Sequence, residues 1–496
     1  MDRRLKLFDR SLVCVGRAFV LAMGAGVLPS CTVGPDYERP DVERPGVWLE
    51  LETEGMEVAG GGDPDFDWWA SLGDEDLEWL VRRAVGANLR IEIARTRVRE
   101  ARALVGVAEG ELLPSVGSAA SYDRLQLSEN FPVFDDFIER GQTDRDQSLL
   151  SAGFDASWEV DLFGGDRRAV EAATAALESE VAQGRDVLLT VVAETARNYF
   201  ELRGAQQRIE ALERSIASQR STVSAAEDRL RAGLGVKLDI VRAEAEFRGL
   251  RAELPRVRSA AVAAAMRLAV LTSMEGGVLW RRLADDGELT EAPSVVPVGL
   301  PGDLLRRRPD IRAAERSVQA ASASIGVAVA DLYPKFSLTG DAGLAASDFA
   351  DLFSGNSVTW SIGPSIRWPI FQGGRIRANI DVSEARHERA LLRYRRIVRS
   401  AIADVESSLT RYAQARLTLD HLVGTVAAQA ESVSLARRAY EDGLSDIGPL
   451  LDAQRRLASL EAELAESRAS VLIALASLHK ALGGGWPLRS DKSAEK

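Results

Sequence analysis

Residues spaced for covalent or redox chemistry are few in this chain of 496 residues. Two cysteines occur, Cys14 and Cys31, in no CxxC or zinc-type spacing. The three histidines, His387, His421 and His479, lie far apart on helical stretches, the pattern of solvated or packing side chains rather than of metal ligands. No phosphate loop, nucleophile elbow or pair of acids with a defined cleft stands out, and Gly483-Gly484-Gly485 lacks the strand and helix context of a nucleotide motif. An enzyme is therefore not expected, nor is a cofactor or a metal. One residue does stand in a chemical context. Leu28-Pro29-Ser30-Cys31 follows a basic start (Arg3, Arg4, Lys6) and a short apolar run over 18–28. It resembles a bacterial lipoprotein signal, in which the cysteine is acylated and becomes the first residue of the mature chain. Residues 1–30 then form a signal peptide and Cys31 is the lipidation site. Cys14 leaves with the signal, so no disulfide forms within the remainder. Thr32 replaces the aspartate that retains such chains at the inner membrane, which favours the outer membrane.

The elements that would carry this anchor are read from composition and period. Hydrophobic residues make up 46% and aromatics only 6%, with Ala, Leu, Arg and Glu abundant, the composition of long helices. The net charge of −12 disfavours nucleic acid as a partner. No segment after the signal reaches eighteen consecutive apolar residues, so no transmembrane helix is expected. An exported chain can still cross a membrane as a β-barrel.

The chain is duplicated. Residues 88–114 align without gaps on 308–334: Ile91, Ala94, Val98, Ala101 and Ala103 recur as Ile311, Ala314, Val318, Ala321 and Ala323, and Gly106-Val107-Ala108 as Gly326-Val327-Ala328. Each half then passes a proline, a strand-like stretch, a polar loop and a second strand-like stretch. That second stretch alternates strictly: Leu150, Ala152, Phe154, Ala156, Trp158, Val160 and Leu162 in one half, Val358, Trp360, Ile362, Pro364, Ile366, Trp368 and Ile370 in the other. Period two places one set on each face, over a length that suits a tilted membrane strand, with tryptophans fit for an interfacial girdle. Four strands cannot close a barrel, and an open edge cannot sit in hydrocarbon. Copies of the chain must pool their strands, with cyclic symmetry the natural closure. The polar loops, about 126–147 and 345–357, are then expected outside the cell.

Long helices follow the strands, over 166–233 and 375–443, with returning helices over 238–273 and 449–480. Each pair turns at a glycine, Gly233-Leu234 and Gly443-Leu444, where a left-handed residue stops a helix. Asp239 and Asp446 suit caps or first-turn acids of the returning helices, and Pro449 a first helical turn. Alanine fills much of the helical pattern, as in Ala260-Ala261-Val262-Ala263-Ala264-Ala265. That favours a wall of closely approaching helices over a coiled coil of larger aliphatics. The expected fold is α+β: a duplicated strand pair plus long helical hairpin. The domain plan is a signal peptide 1–30, an N-terminal lipidated and equatorial segment 31–65, a first repeat 66–282 with strands about 115–124 and 149–163, a linker 283–300, a second repeat 301–482 with strands about 335–345 and 357–371, and a tail 483–496.

With these residues in hand, the chain resembles the TolC family of outer-membrane factors, in its OprM/NodT-like efflux lipoprotein branch. Cys31-Thr32-Val33-Gly34-Pro35-Asp36-Tyr37, Trp68-Trp69 with Leu77, Leu80 and Ala84, and the turns Asp161-Leu162-Phe163-Gly164 and Trp368-Pro369-Ile370-Phe371-Gln372-Gly373-Gly374-Arg375 carry the likeness. It implies a homotrimer whose twelve strands form one transmembrane barrel, continued by a periplasmic α-helical tunnel. It also implies a periplasmic adaptor and an inner-membrane transporter as partners, with the channel itself passive. Carried over by motif, Asp452 falls in an acidic ring that narrows the pore, Asp239 in an inter-hairpin hydrogen bond with Tyr440 as partner, and the tips Gly233, Leu234, Gly443 and Leu444 at the adaptor contact. Pro449 stands where a second acid is common, and Ser445 where an arginine sometimes locks the tips. The leading expectation is an export duct for small toxic compounds or metal ions in a resistance-nodulation-division type pump. The alternatives are the duct of a type I protein secretion system and a lipid-anchored periplasmic coiled-coil scaffold.

Overall fold

The computed structural model describes residues 32–42, 57–59, 67–126, 128, 146–284, 289–293, 295–297 and 307–484. Cys31, the signal peptide, the tail from residue 485 and most of the first polar loop lie outside the described residues. The elements run β1 (Glu57–Ala59), α1 (Glu75–Ala87), α2 (Leu89–Gly110), β2 (Ser115–Gln126), β3 (Asp146–Val160), α3 (Gly165–Arg231), α4 (Lys237–Thr272), α5 (Gly276–Arg282), β4 (Val295–Pro297), α6 (Pro309–Ala330), β5 (Lys335–Ala346), β6 (Val358–Arg367), α7 (Arg375–Glu441) and α8 (Gly448–Ala481). The series α2-β2-β3-α3-α4 recurs as α6-β5-β6-α7-α8. The chain nevertheless packs as two compact units that are not the two repeats. One takes 1–40, 99–178 and 315–392, and the other takes 41–98, 179–314 and 393–496.

The first unit holds a four-stranded antiparallel sheet in the order β2-β3-β5-β6. Pairing across the repeats, β3 on β5, is what joins the halves here. The register keeps the two faces apart. Phe154 stands between Ser118 and Ala342, Trp158 opposite Leu338, and Phe336 opposite Ile366, all on one face. The other face carries hydroxyl rungs, Ser121 to Ser151 at 2.9 Å and Ser337 to Ser365 at 2.7 Å, and sets Asp155 between Gly117 and Asp341. The outer edges of β2 and β6 have no strand beside them among the described residues. Pro364 sits on such an edge strand, where its missing N–H is tolerated.

Two expectations change in detail. The strands end earlier than the alternation suggests, at Val160 and Arg367 rather than 163 and 371. Leu162 N–H turns back to the Val160 carbonyl and Ile370 N–H to the Trp368 carbonyl, and Pro369 breaks the second ladder. Trp158 and Trp368, both with exposed rings, are also tied at this junction. Their indole N–H groups donate to the Leu112 and Leu332 carbonyls just past the ends of α2 and α6, each at 3.0 Å. The loop between β5 and β6 is not uniformly polar: Phe349 and Phe353 are exposed and meet edge to face.

The second unit is helical. Its main core gathers Tyr199, Phe200, Leu268, Leu409, Tyr412 and Leu475 from α3, α4, α7 and α8. Helix α1 is capped by Asp74, which accepts from Leu77 N–H at 3.0 Å and from the Tyr199 hydroxyl, fastening α1 to α3. Helix α4 runs unbroken through Pro255. Strands β1 and β4, which period and propensity did not single out, pair in parallel. Among the described residues no single helix is long and apolar enough to cross a membrane.

Candidate functional site: the hairpin tips and the anchor segment

The tips repeat one local design. Gly233 and Gly443 adopt φ of 74° and 73°, a left-handed conformation that strains an L side chain. Each lets the next amide fold back: Leu234 N–H donates to the Arg229 carbonyl at 2.8 Å and Leu444 N–H to the Ala439 carbonyl at 2.9 Å. The turn pushes Leu234 and Leu444 outward, 71% and 82% exposed. The returning helices start differently. Val236 precedes α4 with no side-chain cap, and Asp239 stands half-buried in its first turn. Asp446 accepts from Gly448 N–H at 2.9 Å, and Pro449 opens α8. Further along, Gln219 donates to the Ala243 carbonyl at 3.3 Å and Gln429 to the Ala453 carbonyl at 3.0 Å, so each hairpin is cross-tied at corresponding positions.

The seam between the hairpins is mostly polar. Gln454 donates to Thr222 at 3.0 Å and Ser218 at 3.3 Å, and Arg437 donates to Ser218 at 2.9 Å. Arg455 forks onto Glu246 at 2.7 and 3.1 Å. A cavity of about 170 Å³ opens beside Ser215, Ser218, Gln219, Gln454 and Glu461. A small apolar cluster of Ala226, Ala243, Val433, Tyr440, Leu450 and Leu451 closes the seam near the turns.

The structure sorts the residues singled out by sequence. The Asp452 side chain is 74% exposed, and its one ion-pair contact, Arg455 at 3.3 Å, is itself held by Glu246. Tyr440 is 3% exposed, and its hydroxyl has no hydrogen-bond partner among the described residues. The expected bond to Asp239 is not made in this chain. The Asp239 carboxylate acts only through its field: burial raises the Tyr440 pKa, Asp239 raises it further, and Arg229 opposes both. Beside the apolar cluster, the tips are tied by Arg229, which motif reasoning passed over. Its guanidinium donates to the Tyr440 and Glu441 carbonyls. A basic residue one turn before a terminating glycine is a general helix-end feature, so nothing in its spacing marked it out.

Cys31 lies outside the described residues, but the segment after it is fastened. Val33 N–H donates to the Phe163 carbonyl at 3.0 Å. Gly34 lies so close to Gly326 that a Cβ on it would stand 2.4 Å from the Gly326 Cα. The buried Arg168 donates to the Val33 carbonyl at 3.2 Å, to Asp36 at 2.7 Å and to Glu171 at 2.7 Å. Of the histidines, His479 is buried and stacked on Trp68 at 4.9 Å; burial lowers its pKa to about 3, so it is neutral.

A sheet with one apolar and one hydroxyl-bearing face and two open edges, on a duplicated chain with paired helical hairpins, defines a protomer of an outer-membrane channel. The family model described as outer membrane efflux protein matches residues 80–273 and 300–484. The chain is similar to the solvent efflux pump outer membrane protein SrpC of Pseudomonas putida, 31% identical over 482 residues, with 94% of this chain and 97% of that protein covered. It is also similar to nodulation protein T of Rhizobium leguminosarum bv. trifolii, 29% identical over 460 residues, with 93% and 96% covered. Among solved structures, the outer-membrane channel OprN superposes with a TM-score of 0.84 at 32% identity, covering 92% of this chain and 100% of that one. This chain belongs to the outer membrane efflux protein family, the TolC-type channels that span the outer membrane and extend into the periplasm.

Proposed function

We propose that three copies of this chain close their strands into one barrel and their hairpins into one periplasmic tunnel, which serves as the passive exit duct of a tripartite efflux pump. The observation that carries this is the pair of open sheet edges on β2 and β6 beside a largely apolar face. Unpaired backbone in hydrocarbon is too unfavourable to stand, so the edges must pair between copies. The acyl group on Cys31 anchors each copy, and the fastened segment 32–40 brings that anchor to the junction of β3 and α3. The hairpin tips form the periplasmic entrance. Asp452 projects a carboxylate that, three times over, repels anions and gathers cations. The exposed tips at Gly233-Leu234 and Gly443-Leu444 receive a periplasmic adaptor, and an inner-membrane transporter supplies the energy. The channel performs no chemistry of its own. Relatives named for solvent and toluene efflux support small organic toxicants as cargo.

The test is assembly with conductance. Protein extracted from the outer membrane should run as a heat-modifiable trimer and form cation-preferring pores in planar bilayers. A monomer that stays soluble without its acyl group and leaks no ions would overturn the reading.

A further inference from the structure

Strands β3 and β5 meet at the junction of the two repeats, and there Gly153 stands directly opposite Gly343 on the hydroxyl-bearing face. A Cβ built on Gly153 would lie 2.8 Å from the Ala342 carbonyl oxygen and 2.9 Å from the Gly343 Cα. One built on Gly343 would lie 2.7 Å from the Ala152 carbonyl oxygen and 2.9 Å from the Gly153 Cα. Directly opposed side chains in an ordinary antiparallel pair keep their Cβ atoms about 4.5–5.5 Å apart. On this face the two backbones therefore converge until no side chain fits between them. The blocking atoms are main chain, which no rotamer change can move aside. The other glycines of the sheet differ. A Cβ on Gly117 would meet only the Asp155 carboxylate, one on Gly340 would come no nearer than 3.4 Å to the Ser361 carbonyl oxygen, and one on Gly363 would have open space.

We propose that the Gly153–Gly343 rung is a crease: the line on which each chain's sheet folds around the lumen, so that the wall of the ring turns sharply at three corners and runs flatter between them. This deepens the reading that three copies close one barrel, with the hydroxyl-bearing face turned to the lumen, and rests on it. Side chains on the concave side of a sheet limit how sharply it bends, and paired glycines remove that limit. The repeat shows why the crease falls inside the chain and not between copies. Trp158 and Trp368 hold equivalent places, bonded to the equivalent Leu112 and Leu332 carbonyls. That equivalence makes Gly363 the counterpart of Gly153 and Asp123 the counterpart of Gly343. Where β6 of one copy meets β2 of the next, the matching rung thus carries Asp123 in place of the second glycine, and its side chain forbids the same approach.

Equivalent positions in a ring of three copies are separated in proportion to their distance from the axis. A round wall therefore gives one inter-copy separation for every label on its outer face, and a cornered wall gives a longer one at its corners. The experiment measures these separations by double electron–electron resonance on the purified full-length trimer, with one spin-labelled cysteine per chain, at Ala152 beside the crease or at Ile362 on the margin strand. Cys31, acylated on that reading, takes no label. The expected result is a longer separation from Ala152→Cys than from Ile362→Cys. Adding Gly343→Ala should shift the two towards one value, whereas adding Gly363→Ala should leave both where they were. Equal separations in the otherwise native chain would overturn the crease, as would a difference that Gly343→Ala leaves untouched or that Gly363→Ala removes equally. Should Gly343→Ala chains fail to assemble, the native comparison decides alone. Chains that give no defined inter-copy separation at all would instead remove the ring on which the crease depends.

Discussion

At the scale of single residues, the tips and the core make opposite uses of charge. Asp452 is exposed, and its pairing with Arg455 is a surface contact of small worth. Replacing it should therefore leave folding alone and change only the pore: Asp452→Ala is expected to raise single-channel conductance or weaken cation block. Unchanged conductance and block would remove Asp452 from the entrance. His479 is the reverse, a titratable group kept neutral by burial. Its folded pKa of about 3 lies below the ordinary 6.5, so between those values the unfolded chain binds a proton that the folded chain refuses. Stability is therefore expected to fall as pH drops through this window, by up to about 1.4 kcal/mol per pH unit from this group. His479→Phe, which keeps the stack on Trp68, should flatten that slope in thermal melts at pH 7, 6 and 5. An identical slope would mean that other groups carry the acid sensitivity. At the anchor segment, Gly326→Val should eject residues 32–40, because a Cβ there would stand 2.8 Å from the Arg168 Cγ and 3.0 Å from the Val33 carbonyl oxygen. The readout is faster proteolysis after Tyr37 or Arg39, with the trimer still intact.

At the scale of elements, legibility followed the length scale of the forces. The strand pairs and hairpin turns were readable because period two and a terminating glycine act within a few residues: Phe154, Trp158 and Trp360 fell on one face, and Gly233 and Gly443 ended their helices as read. The β1–β4 pair, the seat of Gly34 on Gly326 and the reach of Arg229 arise only when distant segments meet, and no local pattern encodes such approaches. The Asp239–Tyr440 bond was drawn from motif likeness, and the fold seats Tyr440 in an apolar cluster instead. The two tryptophans show both kinds of information at once. Their alternation put them on the apolar face, while their bonds to the Leu112 and Leu332 carbonyls fasten strand to helix in each repeat. Trp368→Phe keeps the apolar ring and removes only the donor. It should lower stability by about 1 kcal/mol, seen as a lower trimer melting temperature. No change would mean that water replaces the indole at that carbonyl without loss.

At the scale of the whole molecule, duplication sets the terms of assembly. One chain presents β2 at one edge and β6 at the other, both in the same antiparallel sheet. A cysteine scan should test closure directly: a chain carrying Ser121→Cys in β2 together with single cysteines stepped along β6 should, at one register, yield disulfide-linked oligomers no larger than three chains. Ladders of higher order would indicate an open array instead of a ring.

The unpaired edges also carry a genetic corollary. A ring tolerates no defective member, because one blocked edge leaves two neighbours unable to join. A bacterium making equal amounts of sound copies and copies with a blocked β6 would, under random mixing, retain only about one in eight rings free of the defect. Mutations at those margins should therefore be dominant poisons.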